Sequence, residues 1–410
     1  MTMSRSPRPG GRGHSRLRRA LLAGLVAAAA IAAAVQLVTG DLRTAGKRPS
    51  ERSEGRPSVE PGTTPAPGAG TGAPGRGPAG PGTAGQGPGG GSRAPGAGQP
   101  LKPVLGGLVD RHHAPEQRFN GVVTGFVASV PWAALQRAAG APLAVNNPID
   151  EAITVARARG LKIKLRVTTG IDAPEWAKRL DGAPVQVSDF YGRKGTVGRF
   201  WSERFGQAYL RLQQLLAARY DEVPELVQTT ITRCTTMFAE PFLRQGRTRG
   251  SVQSLLRAGY TAGADEVCHR QQVEAHQLWQ RTRSGLSFNP YQRISANGDV
   301  SPDEEFTEEM MVYCQRMLAS RCVMENHSIR TTGQSRWYNK MYEAMRALGG
   351  PISFQTAAPA RIGSLMETLR WAIEQGASSV ELPVSYTSDL SLAALDPIDQ
   401  RLQDIAELVS

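Results

Sequence analysis

At 410 residues and a formal charge of +12, the chain is long enough for one large domain and basic enough to suggest a nucleic-acid partner. The distribution of charge excludes that partner. Residues 1–100 hold 13 Lys and Arg against 4 acids, while residues 101–410 hold 35 against 32, so the folded part has no basic block able to neutralise many phosphates.

The first segment, residues 1–19, carries Arg5, Arg8, Arg12, Arg16, Arg18 and Arg19 and no acid. Ala20 to Val35 then runs without a polar side chain, and Leu37 and Val38 extend the run. A basic flank before an apolar stretch keeps the amino end in the cytoplasm and sends the rest across the membrane. Residues 20–38 therefore predict a signal peptide or a transmembrane anchor. Cleavage near the Ala-rich end, for example after Ala34, yields a secreted protein. An uncleaved run of about 17–19 residues just spans a bilayer and leaves a membrane-anchored ectodomain. Arg18-Arg19 also leaves the twin-arginine route open. Both outcomes are extracytoplasmic. Residues 39–100 predict a disordered linker, because a Gly/Pro-rich stretch without bulky apolar side chains cannot offset the entropy of ordering. Its glycines do not keep the every-third register of a collagen helix.

From residue 101 short β-rich runs alternate with amphipathic helices, the pattern of βα units around a parallel sheet. Eight strands are predicted, at 103–109, 121–130, 161–167, 226–234, 285–289, 321–325, 351–356 and 378–383. The fold class that follows is α/β, a (β/α)8 TIM barrel over 101–410. Asn147 caps a helix with Pro148 in its first turn, and Gly160 ends it directly before a strand. Ser301-Pro302-Asp303-Glu304 predicts another capped start. Gly349-Gly350 and Gly376 stop two later helices. Only about eleven residues separate the first two strands, too few for a full crossover helix: either that helix is vestigial or strand one lies elsewhere. An open doubly wound sheet is the rival, but no glycine fingerprint for a dinucleotide follows any strand.

Cys234, Cys268, Cys314 and Cys322 all fall in this part. In an oxidising compartment an even set predicts two disulfides, with three pairings possible. Cys314 near a helix end and Cys322 at the next strand start would staple one αβ loop. No CxxC pair occurs, and His112, His113 and His327 lack the spacing of a metal site, so no metal or cofactor is expected.

In such a barrel, functional side chains gather at the carboxyl ends of the strands. That filter selects Trp132 after strand two, Trp176 after strand three, and Glu240 and Arg244 after strand four. It adds Asn289 and Tyr291 after strand five, Glu325, Asn326 and His327 on strand six, Gln355 on strand seven and Glu381 on strand eight. Paired carboxyl groups suit acid/base chemistry, and Glu240 with Glu381 or Glu325 is the candidate pair. Trp132, Trp176 and Tyr291 offer flat apolar faces for a ligand, with core packing as the other reading. Arg244, Asn289, Asn326 and Gln355 offer polar contacts to it.

The stretch GFVASVPWAALQRAAGAPLAVNNPIDEAITVARARGLKIKLRV, then APEW at 173–176, resembles the second and third βα units of the clan A glycoside hydrolases, β-galactosidase-like TIM barrels. AEP at 239–241 resembles that clan's Asn-Glu-Pro, which implies Glu240 as general acid/base. The likeness covers about residues 120–245. Ala239 departs from the clan's Asn, and Gln355 stands where its nucleophilic Glu is expected. The resemblance thus implies an exported hydrolase of O-glycosidic bonds acting on an oligo- or polysaccharide, with the second carboxylate displaced to Glu381 or Glu325. The alternative is an inactive polysaccharide-binding barrel of envelope assembly.

Overall fold

The structure, a computed structural model, describes residues 100–331 and 335–410. The basic segment, the apolar run and the linker read from residues 1–99 lie outside them. Twelve strands occur among the described residues. In chain order they are β1 (Gly107–Asp110), β2 (Val123–Pro131), β3 (Lys162–Thr168), β4 (Val185–Ser188), β5 (Lys194–Val197) and β6 (Leu226–Thr230), then β7 (Arg283–Ser287), β8 (Tyr291–Ile294), β9 (Val300–Asp303), β10 (Cys322–Ile329), β11 (Ile352–Thr356) and β12 (Ala377–Leu382). Eight of them close into a ring in the order β1-β12-β11-β10-β7-β6-β3-β2. Every ladder of the ring is parallel. This is a (β/α)8 TIM barrel. The other four strands form two antiparallel hairpins, β4–β5 after β3 and β8–β9 after β7.

Eight longer helices accompany the ring: α1 (Pro148–Arg159), α2 (Glu203–Tyr220), α3 (Arg249–Arg257), α4 (Ala262–Ala275), α5 (Glu304–Leu318), α6 (Arg336–Leu348), α7 (Leu365–Glu374) and α8 (Leu392–Leu408). None of the described helices is long and apolar enough to cross a membrane. The start of α1 is local chemistry: Asn147 Oδ1 accepts from Ile149 N at 2.9 Å, Asp150 Oδ2 accepts from Asn147 N at 3.1 Å, and Pro148 begins the helix. Two backbone donors that the first turn leaves open are thereby satisfied. Gly160 closes the helix at φ 67°, a left-handed conformation that glycine adopts without a Cβ penalty.

Three expectations shift. The crossover from β1 to β2 holds only a single 3-10 turn, Gln117–Phe119, so the first helix is vestigial and strand one stands where expected. Ser301 and Pro302 belong to β9, and the cap of α5 is Asp303, whose Oδ1 accepts from Phe306 N at 2.9 Å. Strand four ends at Thr230, so Cys234 and the AEP triplet lie in the long loop beyond it.

The two disulfides are Cys234–Cys268 and Cys314–Cys322. The second staples α5 to β10, as the loop spacing predicts. Two disulfides fit an extracytoplasmic, oxidising setting.

Strand β3 shows how the barrel sorts its residues. Ile163, Leu165 and Val167 join the apolar layer that also holds Ile149, Ile153, Phe205 and Leu212 of the helices. The alternate residues, Lys164 and Arg166, are also buried, and because side chains alternate across a strand they face the barrel axis.

Candidate active site

The ladders put polar residues side by side on the inward face. Lys164 is in register with Gln228, Glu325 with Ser287 and Ser353, Ser353 with Ser379, and Gln355 with Glu381. Beside them Leu105, Val109, Val127 and Val227 form a small apolar cluster. A carboxylate on such an axis is viable only if paired, since burial of an ion costs several kcal/mol after relaxation.

The pairing is dense. Lys164 Nζ lies 2.8 Å from Glu325 Oε2 and 2.8 Å from Glu381 Oε1. Arg166 Nη2 donates to the same Glu381 Oε1 at 2.6 Å. Glu325 also accepts from Gln228 Nε2 at 2.5 Å and meets His327 Nε2 at 2.7 Å. A Cβ at position 285 would overlap the Glu325 carboxylate, so Gly285 makes the room for it. Burial alone would raise both carboxyl pKa values, but Lys164 with His327 outweighs it for Glu325, and Arg166 with Lys164 for Glu381. Both are held below the ordinary carboxylate range and are ionised at neutral pH. Glu381 Oε2 is buried and has no hydrogen-bond partner, and among the carboxylate oxygens of the described residues it alone is in that state.

Glu240 is the more accessible acid, partly exposed in the loop after β6. Asn289 Nδ2 donates to its Oε1 at 3.1 Å. Asn289 Oδ1 in turn accepts from Tyr338 OH at 2.9 Å, and Asn326 accepts from Tyr342 OH at 2.9 Å while donating to Phe288 O at 2.8 Å. Asn289 thus orients Glu240, and Asn326 is spent on backbone and tyrosine partners that fix the end of β7. Gln355, partly exposed, accepts from Arg166 Nη1 at 3.2 Å and donates to His327 O at 2.9 Å.

Four expected binding residues lie elsewhere. Trp132 is fully buried, edge-on to Trp176 and Phe205 with centroids 5.4 and 5.7 Å apart. Tyr291 is fully buried and donates to Asp265 Oδ2 at 2.8 Å. Neither ring has a face left for a sugar: Trp132 opens a one-turn helix after β2 that packs into the apolar layer, and Tyr291 on β8 is closed in by Phe242, His269 and Phe306. Trp176 is partly exposed, but its indole donates to Gln136 O at 3.1 Å, and it opens on a cleft beside α2 with Arg204, Gln207 and Arg211. Arg244 is fully buried in a bidentate pair with Asp265, at 2.7 and 2.6 Å. It also donates to the carbonyls of Cys234 and Leu243, so its work is to hold the loop that carries Glu240.

Sequence reasoning missed Lys164, Arg166, Gly285 and Arg111. The first two had a signal: K-x-R alternating with I-x-L in an internal strand leaves the barrel axis as the place for the charges. Arg111, after β1, donates to Thr356 Oγ1 at 2.7 Å, and burial lowers its pKa against the opposing pull of Glu381 and of Glu240. Glu325, His327 and Glu381 bring ligand atoms within 4.8 Å of one another, a spacing that a metal could use. Here the cationic role is filled by the chain itself, through Lys164 and Arg166.

No protein-family model matches the chain, and no curated protein matches it. Among solved structures, endo-glycoceramidase II from Rhodococcus sp. is 14% identical with a TM-score of 0.46, over 73% of this chain and 81% of that one. A β-galactosidase from the psychrophilic Marinomonas ef1 is 12% identical with a TM-score of 0.44, over 74% of this chain and 60% of that one. The catalytic domain of a mannanase from Streptomyces sp. SirexAA-E is 11% identical with a TM-score of 0.34, over 70% and 75%. These neighbours are glycoside hydrolases, the kind of protein that the APEW and AEP motifs resemble. At such identities and TM-scores the likeness carries no argument about chemistry, and the fold rests on the chain's own strand order.

Proposed function

We propose that the chain is an exported glycoside hydrolase that cleaves O-glycosidic bonds of a cell-envelope or environmental glycan through Glu240 and Glu381. One observation carries the reading. Glu381 is an ionised carboxylate with Oε1 clamped by Lys164 and Arg166 and Oε2 buried without a partner. An unpartnered buried acceptor is costly, and a catalytic role is one reason for a protein to retain it. In this reading Glu240, held by Asn289, gives its proton to the leaving glycosidic oxygen. Glu381 either bonds the anomeric carbon, after which a water deprotonated by Glu240 displaces Glu381 and releases the sugar, or itself deprotonates the water that attacks that carbon directly; the stereochemistry of the product distinguishes the two. Glu325 serves as a counter-charge that positions Lys164. Export is supported by the basic and apolar amino-terminal segments and by the two disulfides.

The test is a hydrolysis screen of polysaccharides and aryl glycosides with the full chain. Glu240→Gln and Glu381→Gln should each lower turnover by about 10²–10⁴-fold, with the thermal melt retained in Glu240→Gln and lowered in Glu381→Gln, which takes the shared anion from Lys164 and Arg166. Unchanged turnover in Glu240→Gln removes this reading. A second reading, a polysaccharide-binding barrel without catalysis, is favoured by Gln355 at the expected nucleophile position and by its use as a bridge between Arg166 and β10. Saturable glycan binding with no released reducing sugar selects it.

A further inference from the structure

The turn of the β4–β5 hairpin, Asp189-Phe190-Tyr191-Gly192-Arg193, carries the only two exposed aromatic rings among the described residues, Phe190 at 54% and Tyr191 at 62%. The rings lie against each other with centroids 3.9 Å apart and planes 37° apart. Exposed apolar rings need either a partner or a reason, and the other large exposed apolar side chains are aliphatic. The turn beneath them is built to stay rigid. Asp189 Oδ1 accepts from the backbone of Tyr191 and of Arg193, each at 3.0 Å, and Asp189 Oδ2 from Arg193 Nε at 3.2 Å. Ser188 N donates to Ser251 Oγ at 2.8 Å, and that hydroxyl donates back to Ser188 O at 3.0 Å, tying the hairpin to α3.

The same turn is fastened to the loop that carries Glu240. Arg193 Nη2 donates to Met237 O at 2.9 Å, and its guanidinium lies 4.9 Å from the ring centroid of Phe238. Ile171 N, upstream of the hairpin, donates to Thr236 O at 3.1 Å. The turn that bears the ring pair is thus tied to Met237, three positions before Glu240.

We infer that Phe190 and Tyr191 form an outer platform for a polysaccharide chain, stacking on a sugar unit several residues away from the bond at Glu240. The inference rests on the hydrolase or glycan-binding reading and adds the substrate class: a polymer whose pyranoses present flat C–H faces, as in β-1,4-linked chains with equatorial hydroxyls. Two tilted rings with one phenolic hydroxyl match such a face and its edge. A lipid surface is a poorer match, since no aliphatic side chain joins the rings in the turn and an aspartate lies under them.

The experiment measures binding of the full chain to cellohexaose and chitohexaose by calorimetry, and to vesicles of phosphatidylglycerol and phosphatidylethanolamine by sedimentation. F190A/Y191A should weaken binding of one or both hexasaccharides by roughly tenfold, with an unchanged melt, and F190Y/Y191F should restore it. Hexasaccharide affinity that is the same in F190A/Y191A, absence of binding to both hexasaccharides, or a loss confined to vesicles overturns the platform. Turnover in Glu240→Gln reports on the catalytic reading alone, so each idea can fail while the other stands.

Discussion

Two ionic clusters are equally buried in this protein and differ in one respect. Around Asp265, both carboxylate oxygens are filled by Arg244, Tyr260 and Tyr291, and the remaining guanidinium hydrogens go to backbone carbonyls and to His269. On the barrel axis, Lys164 and Arg166 crowd onto Glu381 Oε1 while Oε2 stays empty of partners. The saturated cluster has nothing left to offer a ligand and fixes a loop. The axis cluster keeps one desolvated carboxylate oxygen without a partner, the group that the proposed mechanism uses. Burial and charge are alike in the two clusters, and the difference between them is that unfilled oxygen.

The comparison is broken most directly by removing one cation from each cluster. Arg244→Met leaves Asp265 buried and uncompensated and should cost roughly 3–5 kcal/mol in urea unfolding, and it should lower turnover through a loosened Glu240 loop without moving the pH profile. Lys164→Met should cost a similar amount but also move the acid limb of the turnover profile to higher pH, because Lys164 lowers the pKa of Glu325 and Glu381. Equal catalytic effects from the two substitutions would erase the distinction between the clusters.

The disulfides sharpen it at a smaller scale. Cys234–Cys268 spans 34 residues and links the Glu240 loop to α4, whereas Cys314–Cys322 spans 8. Loop-closure entropy gives roughly 4 kcal/mol for the first and roughly 2.5 for the second. Paired Cys→Ser variants, compared by denaturant midpoint, should rank in that order, and only the first should loosen the Glu240 loop as read by hydrogen exchange.

Per pH unit and per histidine, the smallest effect is the acid sensitivity of the saturated cluster and its surroundings. Burial pushes His269 and His276 down to about 3, each with ring nitrogens already engaged. Between about pH 3 and the unfolded value near 6.5 the unfolded chain binds the extra proton, so stability falls as pH falls, by roughly 1.4 kcal/mol per pH unit for each histidine. Asp399, raised by burial to about 6, works in the opposite sense between about pH 4 and 6. His276→Gln should flatten the slope of melting temperature against pH, and an unchanged slope removes that histidine from the account.

Much of the barrel was legible because its signals are local. Asn147-Pro148 and Gly160 act within one turn of α1, and the Cys314–Cys322 staple spans a single αβ loop. The candidate site was legible only as a set of residue types. Glu325, Gln355 and Glu381 surround Lys164 and Arg166 on the axis, while Glu240 pairs with Asn289 and comes from a loop well past β6, not from a strand end. Trp132 and Tyr291 carried the same aromatic signal as a sugar platform and are core, while Phe190 and Tyr191, inside an unremarked hairpin, are the exposed pair.

By itself the sequence determined the alternation of strand and helix, the capped helix starts and the confinement of the basic excess to the first hundred residues. Each of these depends on neighbours a few positions apart. Closure of the ring decided the rest: which face of β3 meets the axis, which partner Lys164 finds across to β10 and β12, and which carboxylate oxygen is left unfilled. A strand has two faces, and where both are buried, as in most of this ring, an apolar run alone does not say which one lines the axis. Only the register of eight strands against one another says which face is inside.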